Sequence, residues 1–202
     1  MKTTTTIGLI LCGGKSSRMG QDKGLIPTDG TNWAGKLKLL LKQVGIEQVY
    51  LSVSAHNKDH YLKHFHENCL ITDLPFSNTP SALVGLLSAY QVLKKQTPHF
   101  SIFVLACDLQ NLDETVIRLV MEQAQKSPAI VHLLSDGDFW QPLAGIYSNT
   151  ALEKLVTQSQ SSSFENKSVM RFVKPLTPNV ILLSEEEKVK LANFNSPADL
   201  KQ

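Results

Sequence analysis

Cysteine is scarce in this sequence, and the little there is lies far apart. Cys12, Cys69 and Cys107 make up the full set, too few and too widely spaced for a disulfide framework. Cys12 and Cys107 each close an apolar run, where the expected role is that of a small buried hydrophobe. Long apolar runs are missing as well, and nothing approaches the ~20 residues that cross a bilayer. The opening Met1 to Thr6, followed by six mostly apolar residues, is too short for a signal peptide. A cytoplasmic protein with no membrane partner is therefore expected. Charge of one sign is not in excess either: 20 Lys and Arg face 18 Asp and Glu, for a formal charge of +2. That balance leaves no polybasic footprint for nucleic acid, so any anion site must be local. Repeats and convincing linkers are absent too. With 202 residues, 42% hydrophobic and 19% charged, the chain is expected to fold as a single domain, 1–202, with a full core.

What is present is concentrated near the start. The apolar run Ile7-Gly8-Leu9-Ile10-Leu11-Cys12 has the length of a buried strand and stops at Gly13-Gly14. Paired glycines let backbone N–H groups approach a ligand closely. Lys15, Arg18 and Lys23 follow, against one acid, Asp22. Two glycines alone would be read as a turn with solvated lysines; the whole stretch is a recipe for holding polyphosphate. It is not a Walker loop, because no Gly-Lys-Ser/Thr ends it, and it lacks the three-glycine dinucleotide fingerprint.

The rest of the chain alternates. Asp29-Gly30 marks a turn, and Leu37, Leu40, Leu41 and Val44 recur at helical spacing until Gly45 stops them. A second strand is expected over Gln48 to Ser54, a helix over Asn57 to His66, and a third strand over Leu70 to Thr72 ending at Asp73. Ser81 is a reasonable N-cap for a helix over Ala82 to Lys95. Phe100 to Cys107 is the most apolar run and so the expected central strand, closed by Asp108. Asp113 can cap a helix from Glu114 to Lys126. Strands are then expected over Ala129 to Leu134 and Pro142 to Tyr147, with a turn at Asp136-Gly137-Asp138. A helix follows to about Val156, then a polar, mobile run from Gln158 to Ser163. A short helix from Ser168 to Val173 and a last strand from Asn179 to Leu183 complete the pattern. Glu185 to Lys188 reads as a solvated charge run.

This order specifies an α/β layered fold with a mostly parallel sheet, whose ligands gather at the carboxyl ends of the strands. The loop after Cys12, Ser52 or Ser54, Asp73 and Asp108 fall along that edge. An acid at the end of the most buried strand needs a partner. Beside a cationic glycine loop, Asp108 suits a Mg²⁺ anchor whose remaining ligands are phosphate oxygens and water; on its own it could equally be a cap. Lys23 and Arg18 would offset the repulsion between two anionic reactants in phosphoryl-type transfer. His56, His60 and His64 would share one face of a helix and so could bind a transition metal, but they are interleaved with Lys58, Asp59 and Lys63, which favours solvated histidines.

Leu11-Cys12-Gly13-Gly14-Lys15-Ser16-Ser17-Arg18-Met19-Gly20-Gln21-Asp22-Lys23 resembles the signature L-x-G-G-x-S-x-R-M-G-x-D-K of nucleotidyltransferases, most closely the MobA-like molybdenum cofactor guanylyltransferases. Similar segments follow at Leu70 to Asp73, Ser81 to Gly85, Cys107 to Gln110, Gln141 to Tyr147 and Leu191 to Leu200. The resemblance implies a Rossmann-like three-layer nucleotidyltransferase fold. It implies Mg²⁺-dependent transfer of GMP from GTP to molybdopterin-bound molybdenum, with release of pyrophosphate. Leu11, Cys12, Gly13, Gly14 and Lys23 would hold the triphosphate, Asp73 the nucleoside, and Asp108 both GTP and the metal. Ser52 stands where the family usually has an asparagine that contacts the nucleotide. Asn193 and Asn195 match a segment facing the second substrate or the metal. Transient contacts with proteins that donate or receive the cofactor are implied as well. Three segments depart from the family: Ser81-Ala82 replaces Gly-Pro, Gln110 replaces a proline, and Gly30-Thr31-Asn32-Trp33 replaces Gly-Lys-Pro-Leu. The paired glycines and Leu83-Val84-Gly85 favour the guanine over the cytidine member. CTP as donor, a sugar- or alditol-phosphate acceptor, or a nucleotide-binding module without turnover are the alternatives.

Overall fold

Seven strands form one sheet because each apolar run alternates its side chains between two helical layers. The computed structural model describes residues 4–13, 22–76, 79–160 and 168–194. In chain order the elements are β1 (Thr5–Leu11), β2 (Pro27–Thr28), β3 (Thr31–Asn32), α1 (Trp33–Gln43), β4 (Val49–Val53), α2 (Lys58–Leu62), β5 (Leu70–Thr72), α3 (Ser81–Leu93), β6 (Phe100–Ala106), α4 (Glu114–Lys126), β7 (Val131–Ser135), β8 (Trp140–Ser148), α5 (Asn149–Gln160), α6 (Val169–Val173), β9 (Asn179–Leu182) and α7 (Glu185–Lys188). The sheet runs β5-β4-β1-β6-β8-β7-β9, which puts β6 in the middle as its apolarity predicts. β5, β4, β1 and β6 are parallel. β8 runs antiparallel to both β6 and β7, and β9 returns parallel to β7.

Side-chain alternation along β1 and β6 divides the core. Ile10, Cys12, Phe103 and Leu105 pack with Leu37 and Leu41 of α1 and Val116 and Val120 of α4. Ile7, Leu9, Ile102 and Val104 pack on the other face with α3, α5 and α6. The result is three layers, with each fully buried aliphatic side chain contributing roughly 1.5–3 kcal/mol. α1 is bounded at both ends by local chemistry. The Asn32 side chain accepts from the Gly35 N–H at 2.9 Å. At the other end Gly45 takes φ +91°, and its N–H reaches the Lys42 carbonyl at 2.9 Å while that of Ile46 reaches Leu41 at 3.0 Å. A side chain at 45 would strain that left-handed turn.

Three local expectations are corrected, and one, the solvated charge run, gains a helical turn. Ser81 is not the N-cap of α3 but its first residue: Pro80 takes the cap position with extended backbone, and its carbonyl accepts from Leu83 at 2.8 Å. Gln158 to Gln160 belong to α5, because Ser159 is buried and returns its hydroxyl to the Val156 carbonyl at 2.7 Å; the rest of that polar run lies outside the described residues. The charge run is a solvated helical turn held by a capping box between Ser184 and Glu187. The helix expected over Asn57 to His66 covers only Lys58 to Leu62. His56 precedes it and His64 follows it, both exposed, so the three histidines share no helical face. Among the described residues no group of three or more His, Cys, Asp or Glu could hold a metal, and no helix is long and apolar enough to cross a membrane.

Candidate active site

A cleft of about 200 Å³ lies at the carboxyl rim of the parallel strands, built from what each strand delivers last. β1 supplies Leu11, Cys12 and Gly13, β4 supplies Ser52, β5 leads to Asp73, and β6 leads to Cys107 and Asp108. Lys23 enters from the 3-10 turn Lys23–Leu25. The first turns of α3 add Ser81, Ala82 and Gly85, and β8 adds Leu143.

Two charged centres define it. Lys23 Nζ lies 3.0 Å from Asp108 Oδ2, with side chains 16% and 19% exposed, buried enough to be held and open enough to exchange partners. Behind Asp108, its carbonyl accepts from the Phe194 N–H at 3.2 Å, and Phe194 sits edge-on to Trp33 at 5.8 Å. The second centre is Asp73, whose Oδ1 accepts the Ser52 hydroxyl at 2.5 Å. Burial raises the Asp73 carboxyl above its ordinary value, and the Ser52 bond pulls against that shift. The approach of Asp73 explains one glycine: a Cβ at Gly13 would fall on Asp73 Oδ2. Gly85 is required for the same reason, since a Cβ there would meet the Ser52 hydroxyl.

The two thiols behave as the sequence predicts, buried and unbridged. A hydrogen bond with Cys12, then burial and neighbouring acids, push the Cys107 thiol well up, so it offers no thiolate at neutral pH. Asp108 is one carboxylate facing a lysine rather than a second acid. That donor set fits a divalent ion arriving with phosphate oxygens of its own, not a metal bound by protein alone.

Residues 8–177 match the family described as the MobA-like NTP transferase domain. This chain belongs to that family. It is similar to the molybdenum cofactor guanylyltransferase of Pseudomonas syringae pv. syringae (strain B728a), 30% identical over 190 residues covering 94% of this chain and 88% of that protein. Among solved structures it is similar to molybdopterin-guanine dinucleotide biosynthesis protein A from Archaeoglobus fulgidus, with TM-score 0.69 and 20% identity, covering 96% of this chain and 94% of that one. A Mycobacterium tuberculosis H37Rv protein solved in complex with manganese has TM-score 0.61 and 14% identity, covering 90% and 89%. At these identities the solved structures carry the fold: a Rossmann-like nucleotidyltransferase architecture with a mostly parallel sheet. The MobA-like chain is a nucleotidyltransferase.

Of the residues predicted for the site, Leu11, Cys12, Gly13, Lys23, Ser52, Asp73 and Asp108 all line this cleft. Gly14, Arg18 and Asn195 lie outside the described residues. Asn193 is exposed and not part of the lining, although its neighbour Phe194 bonds the Asp108 backbone. Gln110, at the position of the family's proline, stiffens the loop by other means: Nε2 donates to the Cys107 carbonyl at 2.7 Å, and the Gln110 backbone carbonyl accepts from Lys36 Nζ at 2.7 Å. The sequence reading missed Leu143, and it missed Asn57 and Tyr61, which contact Asp22 beside Lys23. Their four-residue spacing was the available signal, since Asn57 takes the N-cap position of α2 and Tyr61 lies one turn on, its N–H reaching the Asn57 carbonyl at 3.3 Å.

Proposed function

We propose that residues 1–202 form one nucleotidyltransferase domain that transfers GMP from GTP to molybdopterin-bound molybdenum cofactor and releases pyrophosphate. The observation that carries this reading is the Lys23–Asp108 pair at 3.0 Å, in a cleft floored by Gly13 and walled by Asp73. Gly13, with Gly14 beyond it, would present backbone N–H groups to the triphosphate. Lys23 and Arg18 would offset charge there, and Ser52 with Asp73 would face the nucleoside. Asp108 would hold a divalent ion, Mg²⁺, which supplies charge neutralisation at the phosphates. The manganese complex of the Mycobacterium neighbour is in keeping with a divalent metal.

The chemistry asks for position rather than a protein nucleophile. An ionised phosphate oxygen of the acceptor attacks the α-phosphorus of GTP. The bond from that phosphorus to the β-phosphate oxygen breaks, and pyrophosphate leaves with the electron pair. Lys23, moving from Asp108 toward the phosphates, would balance charge as it shifts onto the leaving group. Asn193 and Asn195 would lie toward the acceptor. The reading carries with it a cytoplasmic location and passing contacts with proteins that supply or take up the cofactor, without nucleic acid or membrane.

Pyrophosphate release tests it, measured with GTP and CTP, each with and without the cofactor. Release is expected only from GTP with cofactor. Preference for CTP would move base selection to Ser81-Ala82 in the first turn of α3, and release with a sugar or alditol phosphate would change the acceptor. Tight Mg²⁺-GTP binding without release on any acceptor would reduce the protein to a binding module.

A further inference from the structure

Asp22 stands immediately before Lys23, and its carboxylate is used more fully than a cap requires. Its Oδ1 accepts from the Gly24 N–H at 3.2 Å, which caps the 3-10 turn. Two further donors converge on it from the segment after β4: the Tyr61 hydroxyl reaches Oδ1 at 2.5 Å, and Asn57 Nδ2 reaches Oδ2 at 2.6 Å. The same Asn57 amide donates to the Cys12 carbonyl at 3.1 Å, and its Oδ1 accepts from the Ser54 hydroxyl at 2.9 Å. One buried amide therefore ties the residue before Gly13 to the residue before Lys23. Tyr61 is fully buried and Asn57 nearly so. Gly24 makes room for the phenol, since a Cβ there would fall on the Tyr61 hydroxyl.

We propose that Asn57 and Tyr61 are positioning residues for Lys23, acting through Asp22. A lysine is a point charge on a flexible four-carbon stem, so its reach to Asp108 and to a triphosphate depends on where its backbone is fixed. The clamp fixes that backbone with charge-assisted bonds, the strong kind. Burial above all, with the nearby thiols and Asp22, raises the Tyr61 phenol far above its ordinary value, so it remains a donor at any working pH. With Asp22 engaged by three donors, Asp108 keeps the metal role to itself. The inference rests on the nucleotide-transfer reading.

The test is a titration of Mg²⁺-GTP into the wild type, Tyr61→Phe, Lys23→Met and the double variant, with Asn57→Ala in place of Tyr61→Phe should the latter not fold. Tyr61→Phe keeps the ring volume and removes one bond to a charged group, so affinity should fall about tenfold. In the Lys23→Met background the same change should cost less than about twofold, because the group it aims is gone. An equal loss in both backgrounds would make Tyr61 a structural residue only and overturn the proposal, as would wild-type affinity in the single variant. A wild type that binds no Mg²⁺-triphosphate at all would instead overturn the functional reading, and this one with it.

Discussion

Among the described residues, two clefts of similar size open at opposite ends of one sheet, and they differ in what their polar groups have left to do. At the carboxyl rim about 200 Å³ is lined by Lys23, Asp73 and Asp108. At the amino ends of β1 and β6 about 260 Å³ is lined by Thr6, Ser101, Ser148 and His132. The second set is neutral and turned on itself. Thr6 Oγ1 lies 3.2 Å from Ser101 Oγ, His132 Nε2 lies 2.9 Å from the Ala129 carbonyl, and Nδ1 lies 3.2 Å from Asn179 Nδ2. Hydroxyls and one imidazole can close such a network, and it then has little to offer an anion. The first cleft gathers formal charges of both signs at the carboxyl rim of the sheet, Asp73 and Asp108 after strands and Lys23 from a 3-10 turn, where a ligand can still reach them. Volume does not separate the two; charge held at a rim does.

Damage to the charged cleft should abolish the chemistry. Asp108→Ala should leave the fold intact and lower turnover by about a thousandfold or more, through loss of metal anchoring; unchanged pyrophosphate release would sink the assignment. Lys23→Met should lower kcat/KM by roughly a hundredfold, the order for one charge-stabilising group, and wild-type kinetics would remove its phosphate contact.

Asp73→Asn sharpens the contrast because it separates function from stability. The amide can still accept from Ser52, but it carries no charge to the nucleoside, so GTP affinity should drop about tenfold. Stability should move the other way. The folded carboxyl titrates above its ordinary value, so the native state holds the extra proton in that window and loses stability as pH rises through it. At neutral pH the asparagine variant should therefore melt higher than the wild type. The gap should close below about pH 4, where both states of the wild type are protonated. A variant that melts lower at pH 7 would contradict this.

The smallest effect belongs to the other cleft. Burial lowers the His132 pKa, with the Ala129 bond opposing it. The unfolded chain then takes up the proton first, so stability should be lost as pH falls through about 6.5. His132→Gln should blunt that loss and leave kcat within about twofold, since a neutral site remote from the reaction carries no catalytic term. A large fall in kcat would mean that the two clefts are coupled.

Much of this was legible in residues that act locally. The apolar run Ile7 to Cys12 and the run Phe100 to Cys107, broken only by Ser101, are continuous enough that their ends, Cys12 and Asp108, could be placed from the sequence alone. Asp113 capping α4 and the Asp29-Gly30 turn between β2 and β3 follow from side-chain reach within three residues. What stayed hidden depends on register or long separation. The Ser52 hydroxyl meets Asp73 because β4 and β5 pair Val53 with Thr72. Asp22 meets Asn57 and Tyr61 across 35 and 39 residues. Ser81 fails as a cap because Pro80, whose ring fixes φ at −55°, already occupies that position. The histidine run looked like a helix face because spacing alone does not reveal that α2 stops at Leu62.

The most direct measurement is a structure of the protein with GTP and Mg²⁺. The triphosphate is expected along Gly13 and Lys23, with the ion on Asp108. A nucleotide seated in the hydroxyl-lined cleft, or phosphates bound away from both Lys23 and Asp108, would contradict it.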